Sequence, residues 1–260
     1  MHDTASNTGD MPGSSLAALL DASPASREQS VRAMFAAIAP RYDLLNALLS
    51  FNRHHAWRRA AVRFARISPG QVCLDMCSGT ADLALEAAHA TGPSGAVLGM
   101  DFCLPMLAAA RRKPQFRQNA NIVFSTANAC AIPCHSGLFD AVTIGFGIRN
   151  VTRIDTCLLE LYRVLKPGGR LVILEFARPE RGWTRPIVDF YLFRLLPRVG
   201  AIFSRRDAYR YLPESMKRFL TRAELRDRME LSGFTNVTWH DMHLGTVCIH
   251  VGVRPDGGAS

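Results

Sequence analysis

QVCLDMCSGTAD, residues 71–82, passes from a short apolar run into a turn built of small side chains. Gln71 to Cys77 has the length and apolarity of a strand buried on both faces, and Ala81 to Ala90 continues as a helix. A tight strand-to-helix turn of small residues lets a ligand approach the backbone and offers it the helix's free N–H groups. Asp101 closes the next apolar run, Ala96 to Phe102, about twenty residues beyond the turn. An acid placed there can accept hydrogen bonds from both hydroxyls of a ribose. Turn and acid together predict a nucleoside site at the carboxyl ends of the strands.

The same alternation continues on the C-terminal side. Leu104 to Lys113 reads as a helix, Asn121 to Asn128 as a third strand and Phe139 to Gly147 as a fourth. Ile154, Leu158, Leu159, Tyr162 and Leu165 mark an amphipathic helix that stops at Lys166-Pro167-Gly168-Gly169, and Arg170 to Phe176 is a fifth strand. Beyond residue 220 come a helix, Thr221 to Leu231, and two strands, Thr235 to Met242 and Thr246 to Val253. The link from Asp241 to Gly245 is too short for a crossover helix, so these last strands are expected to pair as an antiparallel hairpin. The pattern is α/β: seven strands, mostly parallel, with helices on both faces of the sheet.

On the N-terminal side, residues 1–26 are rich in Ser, Ala, Asp and Gly without periodicity and read as a disordered tail. Residues 27–68 read as a helical lid. Val31, Met34, Phe35 and Ile38 fall at helical spacing, Pro40 interrupts them, and Leu44, Leu45, Leu48 and Leu49 form a second apolar stripe. Trp57 to Arg66 continues as helix. Residues 69–254 are the main domain, broken at about 178–220 by an aromatic, arginine-rich helical insertion, and residues 255–260 are a short tail.

Of the 260 residues 48% are apolar and 20% charged, which suits a globular chain and argues against wholesale disorder. No apolar run approaches the roughly 20 residues that span a bilayer. Met1 to Ala25 has neither a basic n-region nor a long apolar h-region, so a cytoplasmic protein is expected. The net charge of +9 is concentrated: residues 27–66 carry +6 and residues 178–228 carry +7, leaving the remainder acidic. Such basic segments can face nucleic acid, an anionic membrane surface or an acidic substrate. Seven scattered cysteines suit a reducing compartment. Cys73 and Cys77 on one strand would stand about 13 Å apart, too far to share a zinc. Cys130 and Cys134, in a loop, stay open as a pair, but no metal is expected.

The identity of the nucleoside follows from charge. The turn has only Gly79 of a dinucleotide G-x-G-x-x-G pattern, and Asp75 and Asp82 beside it would repel a pyrophosphate. They suit a cationic ligand instead. S-adenosylmethionine carries a sulfonium, an ammonium and a ribose but no phosphate, and is favoured over NAD.

The stretches APRYDLLNALLSFNRHHAWRR, CLDMCSGTADLAL, VTIGFGIRNV, YRVLKPGGRLVILEFARP, DAYRYLPES and IHVGVRP carry a more specific signal. In these, and over nearly its whole length from Val31 to Arg254, the chain resembles the ubiquinone/menaquinone biosynthesis C-methyltransferase family. The resemblance implies the class I S-adenosylmethionine-dependent methyltransferase fold, a Rossmann-like sheet with an antiparallel terminal hairpin. It also implies methyl transfer to a ring carbon of a prenylated quinol, demethylmenaquinol first. A ubiquinone-branch benzoquinol, another phenol or RNA are the alternative acceptors, and a non-catalytic scaffold is the rival of another class. Ala81 and Gly145 resemble the menaquinone branch, since the ubiquinone branch has Ser where Gly145 stands. Ser78 departs from the commoner Cys or Gly.

The family's cofactor positions fall on Thr80, Asp101 and the Asn128-Ala129 pair, where an amide and a backbone N–H would read the adenine edge. With the turn residues Asp75, Gly79 and Asp82 and with Gly145, these make the expected cofactor site. Arg149, just past the fourth strand, is the first candidate for catalysis, stabilising a developing phenolate or orienting a water. Tyr42, Asp43, His54, Tyr209 and Tyr211 lie in the basic segments, where a His or Tyr could take the proton or stack on the ring. Phe190, Tyr191, Phe193, Leu195 and Leu196, among Arg185, Arg194 and Arg198, suggest an apolar channel with a basic rim for an isoprenoid tail. Transient contact with the membrane surface is therefore expected, no nucleic acid is expected, and a homo-oligomer is left open.

Overall fold

The computed structural model describes residues 23–117, 121–179, 182, 186, 211 and 214–257. Seven strands form one sheet: β1 Val72–Met76, β2 Ala96–Asp101, β3 Ile122–Thr126, β4 Phe139–Gly145, β5 Leu165–Phe176, β6 Thr235–Met242 and β7 Val247–Val253. Their order is β3-β2-β1-β4-β5-β7-β6. β1 pairs in parallel with β2 on one side and β4 on the other, and β7 runs antiparallel to both β5 and β6. The chain order reverses between β1 and β4, so the loops leaving those two strands diverge and open a crevice at the carboxyl edge of the sheet. The expected terminal hairpin is present, with β7 inserted between β5 and β6.

The central strands are apolar because both their faces are covered. Cys73 of β1 joins the cluster on one face with Trp57, Ala61, Leu83 and Ala84, while Leu74 and Met76 join the other with Leu158, Leu161, Leu225 and Met229. The first face is closed by α3 His54–Ala65 and α4 Asp82–Thr91, and the second by α7 Ile154–Val164 and α8 Arg222–Leu231. α8 starts in a capping box, in which Thr221 Oγ1 accepts the Glu224 N–H and the Glu224 carboxylate accepts the Thr221 N–H. Between β2 and β3 lie α5 Leu104–Arg111 and the single turn α6 Pro114–Arg117.

The N-terminal segment differs from expectation at both ends. α1 spans Pro24–Ile38, with Ser23 Oγ accepting the Ser26 N–H at 3.4 Å, so residues 24–26 belong to a helix and not to a tail. A 3-10 turn, Ala39–Arg41, follows where Pro40 removes a backbone donor, and α2 spans Tyr42–Ser50. α3, assigned above to the lid, instead buries Trp57, Ala60, Ala61 and Ala65 against the sheet. Among the described residues α1, α2 and the turn between them lie over the crevice, with Ala39 against Cys103 and Met106, and Phe35 and Tyr42 beside them. The leucine stripe of α2 splits: Leu45 is buried, while Leu44 and Leu48 face outward.

Two further differences have local causes. The turn Lys166-Pro167-Gly168-Gly169 does not precede β5 but is carried within it, lifted between the pairs Phe139–Leu165 and Ala141–Arg170. It is held there because Gly168 N–H donates to Arg254 O at 2.8 Å and Arg254 N–H to Gly169 O at 2.9 Å. The expected insertion lies outside the described residues apart from Gly182, Pro186, Tyr211 and residues 178–179 and 214–220. Residues 1–22 also lie outside them.

The loops after β1 and β4 meet very closely. A Cβ added at Gly147 would lie 2.4 Å from Cys77 Cβ, whereas one at Gly145 meets only the flexible end of Leu83, at 3.0 Å. Gly147→Ala is therefore expected to cost about 1–3 kcal/mol by overpacking, and Gly145→Ala less. Urea denaturation of the two variants side by side measures this, and equal midpoints would contradict the contact.

Candidate functional site

The turn after β1 is held from below and from the side by two buried carboxylates. Asp75 accepts Ser78 Oγ–H at 2.7 Å and Thr143 Oγ1–H at 2.9 Å, which ties the turn to β4. It is 1% exposed, and burial pushes its carboxyl up to about 6 in spite of both hydroxyls. Asp101, at the end of β2, accepts Gly79 N–H on Oδ2 and Cys103 N–H on Oδ1, both at 2.8 Å. Burial raises its carboxyl and the two amides oppose that shift. Gly79 has φ of +57°, a conformation that favours glycine, and thereby turns its N–H toward the acid.

Above the turn is a cleft holding about 690 Å³ of space free of protein atoms, part of it open to solvent. Gly79, Asp101 and Met106 line one side, Asn128, Ala129 and Cys130 one end, and Gly145, Phe146, Gly147 and Asn150 the other wall. α1 and α2 roof it with Glu28, Phe35 and Tyr42. Its described lining includes two carboxylates, Glu28 and Asp101, and no Lys, Arg or His. Such a lining disfavours phosphate and suits a cationic nucleoside.

Several residues expected to touch the cofactor are committed elsewhere. Asp75 does not line the cleft, and neither does Asp82. Asp82 pairs with Lys113 and with Arg58, the latter at 3.4 Å; burial alone would raise its carboxyl, but these cations outweigh burial and hold it below its ordinary value. Thr80 is buried, and its hydroxyl donates to Asp43 Oδ1 of α2 at 2.6 Å, while Asp43 Oδ2 pairs with Lys113 at 2.8 Å. The turn is thus latched to the roof through Asp43 and Lys113. Negative charge does face the cleft, as the sequence suggested, but it comes from Asp101 and Glu28. Asp101, Gly79, Asn128, Ala129 and Gly145 all line the cleft.

The catalytic candidates divide in the same way. Tyr42 lines the cleft, its hydroxyl pushed up by burial and drawn back by the charges of Arg149 and Arg58. Arg149 lies in the wall behind the cleft lining. Its Nη1 donates to Phe146 O at 2.5 Å and Glu175 Oε1 at 2.6 Å, its guanidinium lies 5.4 Å from the Phe176 ring centre, and its buried Nε–H has no partner among the described residues. Tyr211 is buried and donates its hydroxyl to Asn150 Oδ1 at 2.9 Å, so it positions Asn150 rather than facing the cleft. Asn150 itself was not singled out, although the GIRNV block contains it. His54 stands away from the cleft: its Nδ1 accepts from Arg58, and burial and that cation push it down to about 4. Tyr209 lies outside the described residues. Among the described residues no three His, Cys, Asp or Glu side chains gather as a metal site.

Known proteins resemble this chain in sequence and in fold. The model of the ubiE/COQ5 methyltransferase family matches residues 24–254. A demethylmenaquinone methyltransferase of Thermus thermophilus is 47% identical over 223 residues, 85% of this chain and 100% of the relative. A ubiquinone/menaquinone biosynthesis C-methyltransferase UbiE of Geobacter sulfurreducens is 44% identical over 227 residues, 87% of this chain and 89% of the relative. Among solved structures, a SAM-dependent methyltransferase from Aquifex aeolicus superposes with a TM-score of 0.57 at 17% identity. It covers 81% of this chain and 96% of its own, a likeness of fold.

The state of His54 has a measurable effect on stability. Folded, it stays neutral until about pH 4, while unfolded it takes a proton near 6.5. Its contribution is complete above pH 6.5 and is lost as the pH falls toward 4, by roughly 2 kcal/mol between pH 7 and 5. His54→Gln should therefore flatten that part of the pH dependence in urea titrations. An unchanged slope would mean that His54 ionises freely in the fold.

Proposed function

Since the chain belongs to the ubiE/COQ5 methyltransferase family, we infer that it moves the methyl group of S-adenosylmethionine onto a ring carbon of demethylmenaquinol. The observation that carries this reading is a cleft at the β1–β4 crevice with acids on its lining, no basic group among its described lining residues, and Asp101 at the end of β2 holding the turn. When bound, S-adenosylmethionine supplies an electrophilic methyl on a positively charged sulfur. Each Asp101 oxygen uses one acceptor position on a backbone amide and keeps another for a ribose hydroxyl. Tyr42 and Asn150 border the space left for the acceptor ring. Arg149, held in place by Glu175, keeps a positive charge behind that space, which favours ionisation of the ring hydroxyl and enriches the attacking carbon. The roof of α1 and α2 restricts the access of water and helps to hold the reactants in line.

The acceptor's isoprenoid tail has to leave a bilayer, and the chain has features that suit this. No helix among the described residues is long and apolar enough to cross a membrane. Leu44, Leu48 and Phe51 are 55%, 43% and 73% exposed at helical spacing along and just past α2, beside exposed Arg41 and Arg53. Apolar side chains among arginines fit peripheral contact with an anionic leaflet. The aromatic, basic sequence of residues 178–220 is assigned to the tail.

Labelled S-adenosylmethionine with demethylmenaquinol should place label on the quinone ring, and Asp101→Ala should abolish transfer. Transfer only to a 2-methoxy-6-polyprenyl-1,4-benzoquinol would move the reaction to the ubiquinone branch. Flotation with anionic vesicles tests the surface: Leu44→Ser/Leu48→Ser/Phe51→Ser should leave most of the protein unbound. Flotation equal to that of the parent would remove α2 from the membrane contact.

A further inference from the structure

The adenine end of the cleft was expected to be read by Asn128, but the hydrogen bonds there assign the parts differently. Asn128 Oδ1 accepts the Cys130 N–H at 2.8 Å, closing an Asx turn, and the strand-to-loop path is held further by Ala131 N–H donating to Asn128 O at 3.0 Å. The side chain is therefore left with its amide N–H groups, one of which donates to Glu28 Oε1 at 3.2 Å. Glu28 lies one hundred residues earlier, on α1, and lines the same end of the cleft. Cys130 is a weak acceptor, and its thiol is directed to Arg153 O at 3.4 Å. Among the described lining residues Glu28 is the carboxylate at this end, with one oxygen engaged by Asn128 and the other without a hydrogen-bond donor among the described residues.

Adenine presents on one edge a 6-amino donor beside a ring-nitrogen acceptor. A carboxylate beside an amide N–H is the matching acceptor and donor. We propose that Glu28, delivered by the N-terminal helix, is the base-selecting residue of the cofactor site: it accepts from the 6-amino group while Asn128 donates to the adjacent ring nitrogen. Hypoxanthine, with a 6-oxo group and a protonated ring nitrogen, would set like against like at both positions. A site that hydrogen-bonds its ligand with buried polar groups rejects an analogue that leaves them unpaired far more strongly than it rejects a change of size. The roof therefore takes part in recognising the nucleoside as well as covering it. This role presupposes the nucleoside cofactor proposed above.

Calorimetric binding of S-adenosylhomocysteine and S-inosylhomocysteine to the full chain tests the assignment without turnover. The parent should prefer the adenosyl compound by roughly tenfold to a hundredfold, the range expected for hydrogen bonds to a charged group. Glu28→Gln can present either a donor or an acceptor and should bring the two affinities within a few-fold of each other. Glu28→Ala should weaken the adenosyl compound by about tenfold or more and change the inosyl compound little. Asp101→Ala should weaken both compounds equally and keep the preference. If the Glu28 variants weaken both compounds by one factor, Glu28 is only a contact between roof and body, and the proposal is overturned. If the parent binds neither compound, the cofactor reading itself fails, and the proposal with it. Urea midpoints of the variants, compared with the parent's, separate either result from a loss of fold.

Discussion

A carboxylate taken out of water must be met by donors, and Asp101 is met by two backbone amides, those of Gly79 and Cys103. One amide belongs to the loop after β1 and the other to the loop after β2, so the acid sets the distance between the two loops. Asp75 acts likewise one layer below, joining the same turn to β4 through Ser78 and Thr143. The floor of the cleft is thus a set of loops spaced by two buried acids, and its shape follows from their hydrogen-bond geometry. Gly79 and Gly147 are the positions where a side chain would spoil it, the first through its backbone angle and the second through Cys77.

The roof is organised by charge. Asp43 of α2, Lys113 after α5, Asp82 of α4 and Arg58 of α3 alternate in sign, and each link draws one helix toward the next. The buried links matter most, since leaving one partner alone in a dry site costs more than the pair contributes. Arg149 and Glu175 repeat the arrangement on the far wall, where both are nearly inaccessible. Charged side chains therefore hold the walls, while the lining stays largely apolar and acidic.

The strands were legible in the sequence because Val72–Met76, Ala96–Met100 and Ala141–Ile144 are mostly apolar stretches of strand length, the first running into a small-residue turn and the other two flanked by Gly and Asp. Asp101 was legible because its separation from the turn reflects the length of one helix and one strand. What could not be read was which partner each charge would find. Asp82 looked like a free acid beside the turn, but Lys113 lies 31 residues away in the chain and neutralises it. His54 looked available, yet Arg58 one helical turn later occupies its Nδ1. Glu28 carried no signal at all, since its significance depends on Asn128 and on a roof whose placement no local pattern encodes. α3 was misassigned to the lid because an amphipathic helix reads the same whichever surface it covers.

The strap formed by α1 and α2 is hydrogen-bonded to the body of the fold at separated points, among them Glu28 to Asn128 at one end of the cleft and Asp43 to Thr80 at the turn. Exchange of spent nucleoside would then be coupled to loosening of the strap, which would lengthen or shorten the residence time of the product. The Asp43 side chain is 46% exposed, which puts this fastening within reach of dissolved ions. Ionic strength would act there as a throttle on turnover, with no ion entering the site and no change in the chemistry at the ring.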